Sequence, residues 1–155
     1  VRHCRLRRWA AAAIVLCAAA QTQAQFVPTP AQQVAALCSA DLLNAELLAR
    51  DTLQRAGDIA EAALRLTAER SGSPAAVLLV AEEAVAAVER YADLVAAFAL
   101  RHAGDCVALL HALDAQPTLV LAVQGAAARA GLKTSDEMEA VRRRVGDTLA
   151  ELLGG

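Results

Sequence analysis

The sequence predicts an all-α protein: a compact bundle of four or five amphipathic helices, antiparallel and up-and-down, preceded by a cleavable signal peptide. Three observations predict it. Apolar residues make up 57% of the 155-residue chain while aromatics make up 3%, so the apolar content is Ala, Leu and Val, and alanine and leucine are among the best helix formers. Apolar positions recur at three- and four-residue spacing over long stretches, the period of one helix face. The few glycines and prolines stand as punctuation between such stretches, which suits helix ends.

The first 24 residues read as the signal peptide. Arg2, Arg5, Arg7 and Arg8 form a positive region, and Trp9 to Ala20 is an apolar run. That run is shorter than the roughly 20 residues a membrane-spanning helix needs. A polar stretch ending at Ala24 follows, with small residues at Thr22 and Ala24, and Ala18 and Ala20 offer a second cleavage site. The surroundings of Arg7-Arg8 match a twin-arginine signal poorly, and Leu16 is too bulky before Cys17 for a lipidation site. Ordinary secretion to a periplasm or beyond is therefore expected, without stable membrane insertion after cleavage. Val1 in place of Met fits an alternative start codon and hence a bacterial source.

Cleavage would change the charge. Four of the 15 basic residues and none of the 17 acidic ones precede Ala24, which leaves 11 against 17, a net of −6. An acidic surface repels phosphate backbones, which argues against nucleic acid as a partner. The cluster Arg142, Arg143 and Arg144 reads as a solvated helix face, with Glu139 four residues before Arg143 as an intrahelical pair.

Residues 25–31, with two prolines in "FVPTPAQ", read as an extended linker before a single helical domain over 32–155. A first helix is expected from about Ala31 to Ala56, with Val34, Cys38, Leu42, Ala45, Ala49, Thr52 and Ala56 on one face. Gly57-Asp58 reads as a stop followed by an N-cap for a shorter helix over 59–69, although one long helix through Gly57 is open at a cost of about 1 kcal/mol. "SGSP" at 71–74 combines a left-handed stop at Gly72, a cap at Ser73 and a first helical position at Pro74. The next helix, to about His102, repeats Val77, Ala81, Ala84, Val88, Tyr91, Val95, Phe98 and His102 as a heptad-like seam. Gly104-Asp105 repeats the stop-and-cap signal before a helix that turns Cys106, Leu109, Leu110 and Leu113 inward. Thr118–Val123 is ambiguous between strand and helix, with the surroundings favouring helix. Gly131 reads as a stop, and Thr134 or Ser135 as the cap, Thr134 with Glu137 fitting a capping box, before a last helix facing inward through Met138, Val141, Val145, Leu149 and Leu152. "LLARDTLQRAGD" and "LVAAFALRHAGD" echo each other 47 residues apart, a likeness assigned to shared helix-end chemistry rather than to a repeat.

The chemistry is sparse. Beyond the signal two cysteines remain, Cys38 and Cys106, and an even pair in an exported domain reads as a disulfide. His102, Asp105, Cys106 and His111 are all metal-binding types. If the helix breaks at Gly104, however, Asp105 is spent as a cap and His111 points away from Cys106. No metal site is assigned on that reading, and a metal at His102 and Cys106 requires a helix continuous through Gly104. No C-x-x-C-H haem motif, phosphate loop or nucleophile elbow occurs, so no cofactor and no catalytic residue is assigned. The expectation is an exported, non-enzymatic helical protein with a structural or contact role, through a protein partner or self-association. The apolar stripe at Leu43 and Leu47 is available for it. The alternative is a small-ligand or metal carrier using the bundle core or the His102/Cys106 region.

Overall fold

A computed structural model describes residues 26–154, so the expected signal peptide lies outside the described residues. The described chain is all-helical: α1 (Pro30–Ser71), α2 (Pro74–Ala112) and α3 (Pro117–Leu153). At 42, 39 and 37 residues, each is on the order of 60 Å long at 1.5 Å per residue. The three pack against one another as an up-and-down rod.

The described residues form three helices, not the four or five expected, and the reason is common to every lost boundary. Gly57, Gly104 and Gly131 all lie inside continuous helices. One interior glycine costs about 1 kcal/mol, which the burial of a long packed face readily offsets. Asp58 and Asp105 therefore cap nothing. Thr134 is buried, and its hydroxyl donates to the Ala130 carbonyl at 2.8 Å instead of opening a helix. Thr118–Val123 is helix, with Val120 and Val123 buried. The boundaries that hold are those with a proline behind a turn or cap. Thr29 forms a capping box with Gln32 and places Pro30 at the first helical position, so the helix already begins inside the expected linker. Gly72 adopts φ 59° in the left-handed region, and the Ser73 hydroxyl accepts from the Ala76 amide ahead of Pro74.

The buried faces follow an eleven-residue period. On α1 it runs Ala31, Leu42, Leu53, Leu64, with Cys38, Ala49, Ala60 alongside. On α2 it runs Val77, Val88, Ala99, Leu110, with Ala81, Ala92, Ala103. On α3, Val123, Thr134, Val145 and Ala126, Glu137, Thr148 repeat it. Three turns in eleven residues is 3.67 per turn, close to a straight helix. A seam of 3.5 residues drifts by about 20° per heptad. Over the stretch from Val77 to His102 the drift is about 70°, which is why Val77, Ala81 and Val88 are buried while Phe98 is exposed and His102 only half-buried.

Two core clusters stack along the rod. One joins the start of α1, the end of α2 and the start of α3 around Cys38, Leu42, Ala99, Ala103, Cys106, Leu110, Val123 and Ala126. The other joins the remaining halves around Leu53, Leu64, Val77, Val88, Met138, Val141 and Val145. At the junction Glu137 is buried, paired with Lys133 at 2.9 Å and accepting from the Gln54 amide at 3.3 Å. In the second half the arginine cluster is not simply a solvated face. Arg142 bridges to Glu89 on α2 and to Glu139, which it takes in place of Arg143. Arg144 reaches α1 at Asp58 and Glu61. Hydrogen bonds that the guanidiniums donate to these carboxylates hold both above their ordinary pKa, against some loss of solvation. Gly57 has a use there: a Cβ on it would sit 2.9 Å from Arg144 Nη1 and 3.3 Å from Val141 Cγ2.

Candidate functional site

Cys38 on α1 and Cys106 on α2 are joined, with an S–S distance of 2.12 Å and Cα atoms 6.2 Å apart across 68 residues of sequence, a spacing a disulfide spans without backbone movement. The pair supports an oxidising compartment in general terms. Both cysteines are buried in the inner faces of their helices.

Because α2 runs unbroken through Gly104, His102 lies one turn before Cys106 on the same side of one helix. Its Nε2 is 3.8 Å from Cys106 Sγ. The ligand atoms of Cys38, His102 and Cys106 all lie within 4.8 Å of one another. From α1, Asp41 Oδ2 approaches the same Nε2 to 3.4 Å. The imidazole side chain is 29% exposed and the carboxylate 63%, so the cluster is sealed at the sulfurs and open at the oxygens. The Phe98 ring stacks one turn away on His102, centroids 6.0 Å apart and planes 2° from parallel. The arrangement is therefore two facing pairs: Cys38 and Asp41 three apart on α1, His102 and Cys106 four apart on α2. Facing helices of a bundle build metal sites from pairs of this kind.

The structure thus overturns the split of "RHAGDCVALLH" into two helices. His102 and Cys106 come together, whereas Asp105 and His111 are exposed and take no part. The sequence reading passed over Asp41. Its signal was the Cys38–Asp41 spacing, legible only once a second pair on a continuous α2 faces it.

The cluster opens onto a groove between α1 and α2 lined by Asp41, Asn44, Ala45, Leu48, Leu94, Val95, Phe98 and His102. Leu48 is 62% exposed, Leu94 69% and Phe98 61%, and Leu100, further round α2, is 73% exposed. Leu43 and Leu47, expected as the contact stripe, are also exposed, but the groove is built on Leu48. By length and composition α2 is apolar enough to cross a membrane; it also supplies core residues to both halves of the rod. Compared with known protein families, curated proteins and solved structures, the chain matches none.

Proposed function

We propose that this is an exported, non-enzymatic helical protein that works by contact through the α1–α2 face, and that the occupant of that face is a second copy of the chain. The observation that carries the reading is the exposure of Leu48, Leu94 and Phe98 side by side in one groove. Contiguous apolar surface of this sort marks interaction sites. A copy of the same chain fits because the face is apolar and its one carboxylate, Asp41, already sits against His102, so little like-charge repulsion opposes a two-fold pairing. Closed two-fold dimers are also the commonest oligomers. Export agrees with the joined cysteines and with the N-terminal segment as read from the sequence. Sedimentation equilibrium of the oxidised protein tests the reading. The expected result is a dimer that Leu94→Glu converts to a monomer of unchanged helicity. A wild-type protein that stays monomeric at about 100 μM, weaker than any specific dimer expected of such a face, overturns it.

A second reading, a metal carrier at the His102/Cys106 region, draws on the convergence of Cys38, Cys106 and His102. The bundle core itself is filled by fully buried Leu42, Leu53, Leu64, Leu110, Val123 and Val141, so it is the groove end, not the core, that this reading uses.

A further inference from the structure

We infer that Cys38, Cys106, His102 and Asp41 form a zinc(II) site that the disulfide holds shut and that reduction opens. The inference deepens the metal-carrier reading; it shares the α1–α2 groove with the proposed dimer, and it is tested on the reduced chain where the dimer is tested on the oxidised one.

The geometry carries it. Zinc takes four ligands in a tetrahedron, with Zn–S about 2.3 Å, Zn–N about 2.0–2.1 Å and Zn–O about 2.0–2.2 Å. Tetrahedral angles then set neighbouring S and N about 3.6 Å apart, and N and O about 3.4 Å apart. The two corresponding separations here are 3.8 Å from Cys106 Sγ to His102 Nε2 and 3.4 Å from His102 Nε2 to Asp41 Oδ2. Both edges share Nε2, while Asp41 lies outside the set of ligand atoms that are all within 4.8 Å of one another, so its exposed carboxylate has to swing inward to complete the tetrahedron. Two thiolates on one zinc lie about 3.8 Å apart. Once the S–S bond is cut, side-chain rotation reaches that separation from Cα atoms held 6.2 Å apart. Stacking on Phe98 restrains the imidazole plane, and the α1–α2 groove, lined by Asp41 and His102 but not by the buried cysteines, gives the ion its path as far as the imidazole.

The same atoms make the gate. A disulfide sulfur is uncharged, and the thiolate is the metal ligand. The opening step is thiol–disulfide exchange with an external dithiol. One thiolate of the dithiol attacks a sulfur of the pair and the other resolves the mixed disulfide. The reductant becomes a disulfide, and two electrons and two protons pass to Cys38 and Cys106. Zinc then displaces both thiol protons to solvent and binds two thiolates, neutral His102 and the Asp41 carboxylate. Exchange with the disulfide form of that dithiol runs the sequence backward: it takes up the two electrons, Cys38 and Cys106 are rejoined, and the ion is released.

The test uses the full chain carrying Cys4→Ser and Cys17→Ser, so that the only thiols are the described pair. Zinc uptake is measured against a chromophoric chelator before and after reduction, with helicity followed in parallel. One zinc per chain is expected after reduction and essentially none before. His102→Ala is expected to weaken binding at least about tenfold, Asp41→Asn to weaken it less, and His111→Ala to leave it unchanged. His102 is half-buried on a helix flank, so these variants are expected to keep their helicity; His102→Asn supplies the same comparison if the alanine variant does not. Uptake by the oxidised chain equal to that of the reduced one, affinity untouched by loss of His102, or no uptake by a reduced chain that is still helical would each overturn the inference. None of these outcomes bears on the dimer, whose test is made on the oxidised protein.

Discussion

The two halves of the rod are built from the same three helices and the same eleven-residue period, yet they are held by different means. In the disulfide half the buried positions include Ala31, Ala35, Ala99, Ala103, Ala126 and Ala130. Small side chains let backbones approach closely but bury little apolar area each, and stabilisation follows area. In the other half Leu53, Leu64, Val77, Val88, Met138, Val141 and Val145 predominate, and ion pairs between helices (Arg65–Glu151, Arg142–Glu89, Arg144 with Asp58 and Glu61) stand along its flanks. The comparison teaches that the covalent link stands where the core is thinnest. It also stands where histidine, carboxylate and open groove meet, so the end that can be unlocked chemically is the end that carries the candidate site.

The largest expected effect follows from cutting that link. Closing a loop across 68 residues is worth roughly 4 kcal/mol in the chain-entropy account. The Cys38→Ser, Cys106→Ser double variant should lose about that much in urea unfolding; a loss below about 1 kcal/mol would mean the alanine-rich half stands without its bridge. Next comes the other half's core. Leu53 is fully buried, and Leu53→Ala should cost about 3 kcal/mol by the same measurement. Arg144→Met, by contrast, should cost about 1 kcal/mol, since its ion pairs are half-buried at most and partly screened by solvent; a cost above that of Leu53→Ala would reverse the assignment of what holds this half.

Two glycines sharpen the contrast at smaller amplitude. Gly104 is exposed with open space where a Cβ would lie, so Gly104→Ala should stabilise by about 1 kcal/mol. Gly57 faces Arg144 and Val141, so the same substitution there should show no net gain in thermal unfolding, the helical gain being offset by displacement of the guanidinium. The smallest effect concerns pH. Hydrogen bonding and charge from Arg65 hold the Glu151 carboxyl below the usual glutamate range. A carboxylate depressed in the folded state contributes stability that is present above its unfolded pKa and lost as pH falls through the folded one. Arg65→Met should therefore lower stability slightly at neutral pH, where the contribution is present, and converge with the wild type as pH falls below the carboxylate range, so that the acid limb of the profile is shallower.

The two "AGD" stretches also show how much was legible in the sequence. Helical class, the Ser71–Pro74 turn and the Cys38–Cys106 pairing could be read, because composition, proline and cysteine number act locally or by simple counting. The helix count could not, because a single glycine carries the same local signal whether it faces a neighbour, as Gly57 does, or solvent, as Gly104 does. Only packing along the whole helix decides that the break is not taken. The candidate site was lost with it. His102 and Cys106 share a face only on an unbroken α2, and the heptad seam placed Phe98 inside because its drift accumulates unseen along one strand of text. Asp41 had no signal of its own without α2 opposite it.

The central claim, that the disulfide end is a separately unlockable half, is tested most directly by native-state hydrogen exchange of the chain before and after reduction. Amides around Cys38, Leu42, Ala99, Ala103 and Cys106 are expected to lose protection on reduction while those around Leu53, Leu64, Val77 and Val141 keep theirs, and zinc is expected to restore the lost protection only in the reduced chain. Equal loss along the whole rod, or no loss at either end, would contradict the claim.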